Sequence, residues 1–177
     1  VNLLFGSMIY DSKTGIILND EMDDFALPNV SNAFNLTPSI FNFIHPGKRP
    51  LSSTAPTIII NDATNSTDFV IGAAGGSRIT SAILQAIVRT YYRKYDLLST
   101  IAFPRLHHQL IPESVMSENL TVWDQEHTGI ASSMKKLGHT FLETGSLTAM
   151  NGIKRVKGGK LHGVSDWWRK RGELDGY

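Results

Sequence analysis

The chain has 177 residues, of which 41% are apolar and 19% charged, a balance that builds a packed core in a length that suits one domain over 1–177. Its formal net charge of +1 gives no overall field for nucleic acid or a membrane surface, and the lack of cysteine excludes disulfides and thiolate chemistry. No apolar run is long enough to span a bilayer.

In chain order, "VNLLF" and "GIIL" (Gly15–Leu18) read as strands on either side of a turn. Residues 26–56, broken by Pro28, Pro38, Pro46, Pro50 and Pro56, read as a long ordered loop, too apolar for a flexible linker. "TIIIN" (Thr57–Asn61) predicts a buried strand and "DFVIGAA" (Asp68–Ala74) its hairpin partner. "GGSRITSAILQAIVRTYYRKY" is the strongest helix: Ile79, Ala82, Ile83, Ala86, Ile87 and Tyr91 share one face, and Ser77 is the expected N-cap. Arg89, Arg93 and Lys94 suit the negative end of its dipole. A short helix from Asp96 must end before Pro104, and "VWDQEHTGIASSMKKLGH" predicts one helix closed by Gly138. "TFLET", "SLTAMNGIKRV" and "LHGVSD" read as strands, the last two joined through Gly158-Gly159. Hairpin-linked strands with interspersed helices predict an antiparallel layered sandwich rather than a doubly wound parallel sheet.

Several stretches carry chemistry. In "ILNDEMDDF" four carboxylates, Asp20, Glu21, Asp23 and Asp24, fall within five positions. A solvated acidic turn is the simplest reading of that segment alone. Glu21 and Asp24, three apart, would share one face of a helical turn, and two converging carboxylates suit an ammonium group better than calcium, whose EF-hand spacing is missing. In "KRPLSSTAPTIII" the adjacent hydroxyls of Ser52 and Ser53 sit in a proline-held turn and can donate to a carboxylate, although the segment also reads as an ordinary Ser-rich turn. Neither serine lies in a G-x-S-x-G elbow.

In "GAAGGSR" the backbone of Gly75 and Gly76 lies at a helix start, where amides favour an anion or a developing oxyanion, though glycine there also serves close packing. The spacing fits neither G-x-G-x-x-G nor a Walker loop. His107 and His108 are adjacent without a third ligand at metal spacing, so no metal is expected. "DWWRKRGE" is too short a basic run, beside acids, to make a nucleic-acid partner the expectation.

Four N-x-[ST] sequons, at Asn29, Asn35, Asn65 and Asn119, are glycosylation candidates and lean towards the secretory pathway. The chain opens on Val1 with no leader ahead of these sequons, which predicts the C-terminal piece of a longer product.

Taken in order and spacing, "GIILNDEMDDF", "GKRPLSSTAPTI", "GAAGGSRI", "PRLHHQL" and the terminal "GY" resemble the small subunit of gamma-glutamyltransferase over essentially the whole chain, fungal members most closely in "VNLLFGS" and the basic C-terminal region. The resemblance implies an α+β fold, the C-terminal portion of an N-terminal nucleophile hydrolase with a four-layer α-β-β-α sandwich, made from a precursor that cleaves itself. It implies a threonyl acyl-enzyme that takes the γ-glutamyl group of glutathione or γ-glutamyl peptides to an amino acid, a dipeptide or water, with no cofactor. Asn2, Glu21 and Asp24 match the contacts to the α-amino side of the glutamyl group, Ser52 and Ser53 those to its α-carboxylate, and Gly75 and Gly76 the oxyanion hole. The implied partner is the large subunit of the same precursor, and the implied location is the extracellular face of the membrane or the vacuole. The family's threonine nucleophile falls upstream of Val1, so the isolated chain is expected to be inactive. A noncatalytic glutamyl-binding remnant is the alternative, and a cephalosporin-type acylase would lack the Glu21 and Asp24 acids.

Overall fold

A computed structural model describes residues 6–175, so Asn2 and the strand expected over Val1–Phe5 lie outside the described residues. Two compact units divide the chain, residues 1–53 and 54–177.

In the first unit Tyr10–Asp11 (β1) pairs antiparallel with Ile16–Ile17 (β2), the strand expected over Gly15–Leu18. Asp11 closes the intervening turn, accepting 2.5 Å from the Thr14 hydroxyl and, through its carbonyl, 2.9 Å from the Gly15 amide. Single 3-10 turns follow at Glu21–Asp24 and Ile40–Asn42. The rest of the segment to Ser53 is irregular, because proline removes the amides that a helix or ladder would use.

The second unit is built on an antiparallel sheet. Thr57–Asn61 (β3) and Ser66–Ala74 (β4) form the expected hairpin, and Ala149–Arg155 (β8) and Leu161–Ser165 (β9) complete the order β3-β4-β8-β9. Rungs such as Ile58 opposite Val70 and Val70 opposite Ile153 set which side chains share a face. One face carries Phe69, Ile71, Met150 and Val164 into the core, where Ile79–Ile87 (α1) and Leu97–Ala102 (α2) cover it with Ile79, Ala82, Ile83, Ala86, Leu97 and Ile101. The other face leaves Ile58 65% and Ile153 41% exposed. β3 is therefore a half-open edge strand rather than the buried strand expected from its aliphatic run.

The strong helix begins differently from expectation. A 3-10 turn at Gly76–Arg78 precedes α1, and the Ser77 hydroxyl donates 2.9 Å to Gln109 Oε1 instead of capping. After α1 the chain widens into a π-turn over Val88–Tyr92. That widening turns Arg89 inward: it is 5% exposed, lies 3.2 Å from the Phe103 ring centroid and pairs with Glu126 at 3.4 Å. Asp96 caps α2 as expected, accepting 2.9 Å from the Ser99 amide.

The single helix expected over 122–139 is two, Leu120–Glu126 (α3) and Ile130–Lys136 (α4), broken where Gly129 takes φ +79°. Asn119 caps α3 at 3.1 Å from the Val122 amide. Leu106–His107 (β5), Val115–Ser117 (β6) and Phe141–Glu143 (β7) make a small second sheet with β6 and β7 parallel.

A short helix, Trp167–Lys170 (α5), closes the unit over a buried charge network. Arg105 Nη2 donates 2.6 Å to Asp166 Oδ2, and Arg169 donates 2.8 Å to Asp166 Oδ1 and 2.6 Å to Glu118 Oε2. Two cations against two anions leave no net charge, and every carboxylate oxygen accepts a hydrogen bond, three of the four from two donors, which is the condition under which buried ions are tolerated. The basic run at the C-terminal end is thus partly committed to the interior.

Candidate functional site

The 3-10 turn at Glu21–Asp24 has three residues per turn, so side chains at i and i+3 lie one above the other. Glu21 and Asp24 therefore share a face, as their spacing predicts. Like charges at this density need compensation. Burial, and after it the neighbouring Glu21, Asp20 and Asp23, hold the Asp24 carboxyl above the usual carboxylate range. Among the described residues no lysine, arginine or histidine pairs with Asp20, Asp23 or Asp24, and Asp20 Oδ1 is enclosed without a hydrogen-bond partner.

The serines reach this turn through a residue that sequence reasoning passed over. Asn42 Nδ2 donates 2.8 Å to the Asp24 carbonyl, while its Oδ1 accepts 2.8 Å from the Leu51 amide. One carboxamide therefore clips the acidic turn to the residue preceding Ser52 and Ser53. The Ala26 amide donating 3.0 Å to the Asn42 carbonyl and an isolated bridge between Ala26 and Phe43 reinforce the clip. Lys48 stiffens the same loop by donating 2.5 Å to the Phe41 carbonyl and 3.0 Å to that of Phe43.

A recess of about 280 Å³ beside the clip is lined by Asp24, Phe25, Leu27, Leu36, Asn42 and Leu51. Ser52 is exposed and Ser53 half-buried. The only sequence signal for Asn42 is a polar residue in an aromatic run, "IFNF", where a carboxamide has two donors and an acceptor to offer.

Gly75 and Gly76 lie in the second unit, between the end of β4 and α1, with φ +145° and +62°. The Gly75 conformation is one that a side chain rarely adopts, and a Cβ there would fall 2.6 Å from Thr148 Cγ2 and 2.9 Å from the Leu147 carbonyl. The turn is gripped on its far side as well: Gln109 Oε1, which takes the Ser77 hydroxyl, lies 2.9 Å from His107 Nε2. His107 is buried, its imidazole pushed below the ordinary range chiefly by desolvation, and its Nδ1 lies 2.8 Å from the Ser81 hydroxyl. His107 is thus part of the scaffold of the turn. Among the described residues no group of metal-ligating side chains is assembled.

The sequon residues Asn29, Asn35, Asn65 and Asn119 are all exposed, the first three in left-handed turns. Asn119 is also the α3 cap.

These turns sit in an α+β chain whose solved structural neighbours are gamma-glutamyltranspeptidases, enzymes of the N-terminal nucleophile hydrolase class. The gamma-glutamyltranspeptidase family model matches residues 1–176, and the chain belongs to that family. It is 48% identical over 139 residues to glutathione hydrolase proenzyme 2 of Schizosaccharomyces pombe, covering 78% of this chain and 22% of the relative. It is 39% identical over 178 residues to scoloptoxin SSD20 of Scolopendra dehaani, covering 100% of this chain and 87% of that protein. A solved structure of a highly active mutant of gamma-glutamyltranspeptidase from Pseudomonas nitroreducens superposes with TM-score 0.79 at 35% identity, over 99% of this chain and 88% of that one. The chain spans between 22% and 26% of the length of the fungal glutathione hydrolase proenzymes it matches.

Proposed function

We propose that residues 1–177 supply the glutamyl-binding pocket and oxyanion turn of a γ-glutamyl acyl transferase that cleaves glutathione and related γ-glutamyl amides and passes the acyl group to an amino acid, a dipeptide or water. The observation that carries the reading is the Asn42 clip, which ties the acidic turn to the residue preceding Ser52 and Ser53. An α-amino acid end needs both: carboxylates for its ammonium and donors for its carboxylate. In this reading Asn2, Glu21 and Asp24 take the ammonium, Ser52 and Ser53 the α-carboxylate, and Gly75 and Gly76 the negative oxygen that develops as the amide carbonyl is attacked. The attacking threonine hydroxyl is assigned to no residue of 1–177.

The proposed partner is a large subunit from the same precursor. The exposed Ile58 and Ile153, on the sheet face opposite α1 and α2 with the half-buried Val70 between them, support it, since a sandwich needs a second layer there. The exposed sequons support a secretory route, to the outer face of a membrane or the vacuole.

The test is the full-length protein assayed on a γ-glutamyl anilide. Release of the aniline, accelerated by a dipeptide acceptor, is expected. Binding of the substrate without release would point to the noncatalytic remnant instead.

Asn42→Ala removes both halves of the clip. Each hydrogen bond contributes on the order of 1 kcal/mol, so the KM for the anilide should rise by up to about thirtyfold while kcat changes by less than about threefold. Steady-state kinetics on folded variant check this, and an unchanged KM would remove Asn42 from the pocket.

A further inference from the structure

We propose that Thr148, held by the buried guanidinium of Arg105, is a positioning residue that sets the Gly75–Gly76 turn for acyl transfer. The inference rests on the oxyanion reading of that turn.

The last rung between β4 and β8 joins Ala74 to Ala149. Gly75 is the first residue beyond the ladder, so contact rather than pairing determines where its peptide points. The contact is tight: a Cβ on Gly75 would lie 2.6 Å from Thr148 Cγ2, so the bare α-carbon rests against that methyl group. Thr148 in turn precedes β8 and is fixed by charged groups. Arg105 Nη1 donates 2.6 Å to the Thr148 carbonyl and 2.9 Å to its hydroxyl, and Glu118 Oε1 accepts 2.7 Å from the Leu147 amide.

Arg105 is itself locked, its second terminal nitrogen donating to Asp166 Oδ2 at 2.6 Å and to the Ile101 carbonyl at 2.8 Å. Arg105 and Thr148 are 2% and 4% exposed, so solvent offers no substitute partner. Nη1 holds both oxygens of Thr148 while Nη2 holds Asp166 and the Ile101 carbonyl, a spread over two nitrogens that the single nitrogen of a lysine cannot reproduce. Because Arg169 and Glu118 balance Arg105 and Asp166, the network brings no net charge to the turn. Its contribution is aim.

Two variants of Thr148 separate aim from folding, measured in the full-length protein on a γ-glutamyl anilide. Thr148→Ser keeps the hydroxyl for Arg105 but deletes the methyl group under Gly75. Displacing donors by a fraction of an ångström should lower kcat about tenfold, with KM within about twofold of the parent. Thr148→Val keeps the methyl group and deletes the hydroxyl, and should hold kcat within about threefold. Arg105→Lys should follow Thr148→Ser in lowering kcat rather than raising KM. Thr148→Ser with the parent kcat, or Ser and Val variants affected alike, would overturn the proposal. A Gly75→Ala enzyme as fast as the parent would instead overturn the oxyanion reading beneath it. If Gly75→Ala is inactive and Thr148→Ser fully active, the turn is functional and Thr148 does not position it.

Discussion

Asp24→Ala in the full-length protein is expected to raise the KM for a γ-glutamyl anilide about 100-fold, the loss of one charge-assisted bond to a largely desolvated ammonium. The ligand-free turn is already strained by repulsion, since burial and then Glu21, Asp20 and Asp23 hold the Asp24 carboxyl high. An incoming ammonium offsets that repulsion and favours the ionised carboxyl. Affinity should therefore strengthen as pH rises through the raised pKa, with a proton released on binding in that window, and Asp24→Asn should flatten this acid limb.

The sign for folding is opposite. A carboxyl raised in the folded state favours the fold below its folded pKa and loses that contribution as pH rises through it. Asp24→Asn should thus melt no lower than the parent at neutral pH while binding poorly. Steady-state pH profiles and thermal melts measure the two effects separately, and a KM within about twofold of the parent would count against the assignment.

Gly75→Ala is expected to lower kcat by about 10²–10³-fold with little change in KM, the loss typical of an oxyanion donor. The added methyl group meets Thr148 Cγ2 at 2.6 Å and the Leu147 carbonyl at 2.9 Å, and the φ of +145° resists any side chain. The turn must move, and donors aimed at a charge that exists only in the transition state lose their aim while the ground state is held elsewhere. Burst kinetics isolate acylation from later steps. A variant that binds weakly but turns over at the parent rate would show that Gly75 shapes binding instead.

Local patterns were legible where local forces decide. The period of Ile79, Ala82, Ile83 and Ala86 placed α1, Asp96 placed the start of α2, and "SLTAMNGIKRV" placed β8. Glu21 and Asp24 were legible as a shared face because three-residue spacing holds in any tight helical turn. Failures came where tertiary contacts override propensity. Ser77 has the chemistry of a cap, yet Gln109, 32 residues away, claims its hydroxyl. Arg89 has the position of a dipole-balancing residue, yet a π-turn buries it against Phe103. β3 is as apolar as a central strand, but Ile58 points to the sheet face opposite α1 and α2, where Ile153 of the central β8 is open as well. Asn42 and Thr148 were invisible because each acts through contacts distant in sequence, which no motif records.

The charge network has a consequence in time. Arg105 and Asp166 are 61 residues apart, and ribosomes add roughly 5–20 residues per second. For roughly 3–12 s of synthesis at that rate the Arg105 guanidinium has no carboxylate from Asp166 to meet, and the Gly75 turn has no braced Thr148 to rest on. Helix α1 and the β3–β4 hairpin, whose contacts are local, are free to form during that interval. The Gly75 turn between them gains its Arg105–Asp166 brace only after Asp166 has emerged, so a turn made early is completed by residues made well after it.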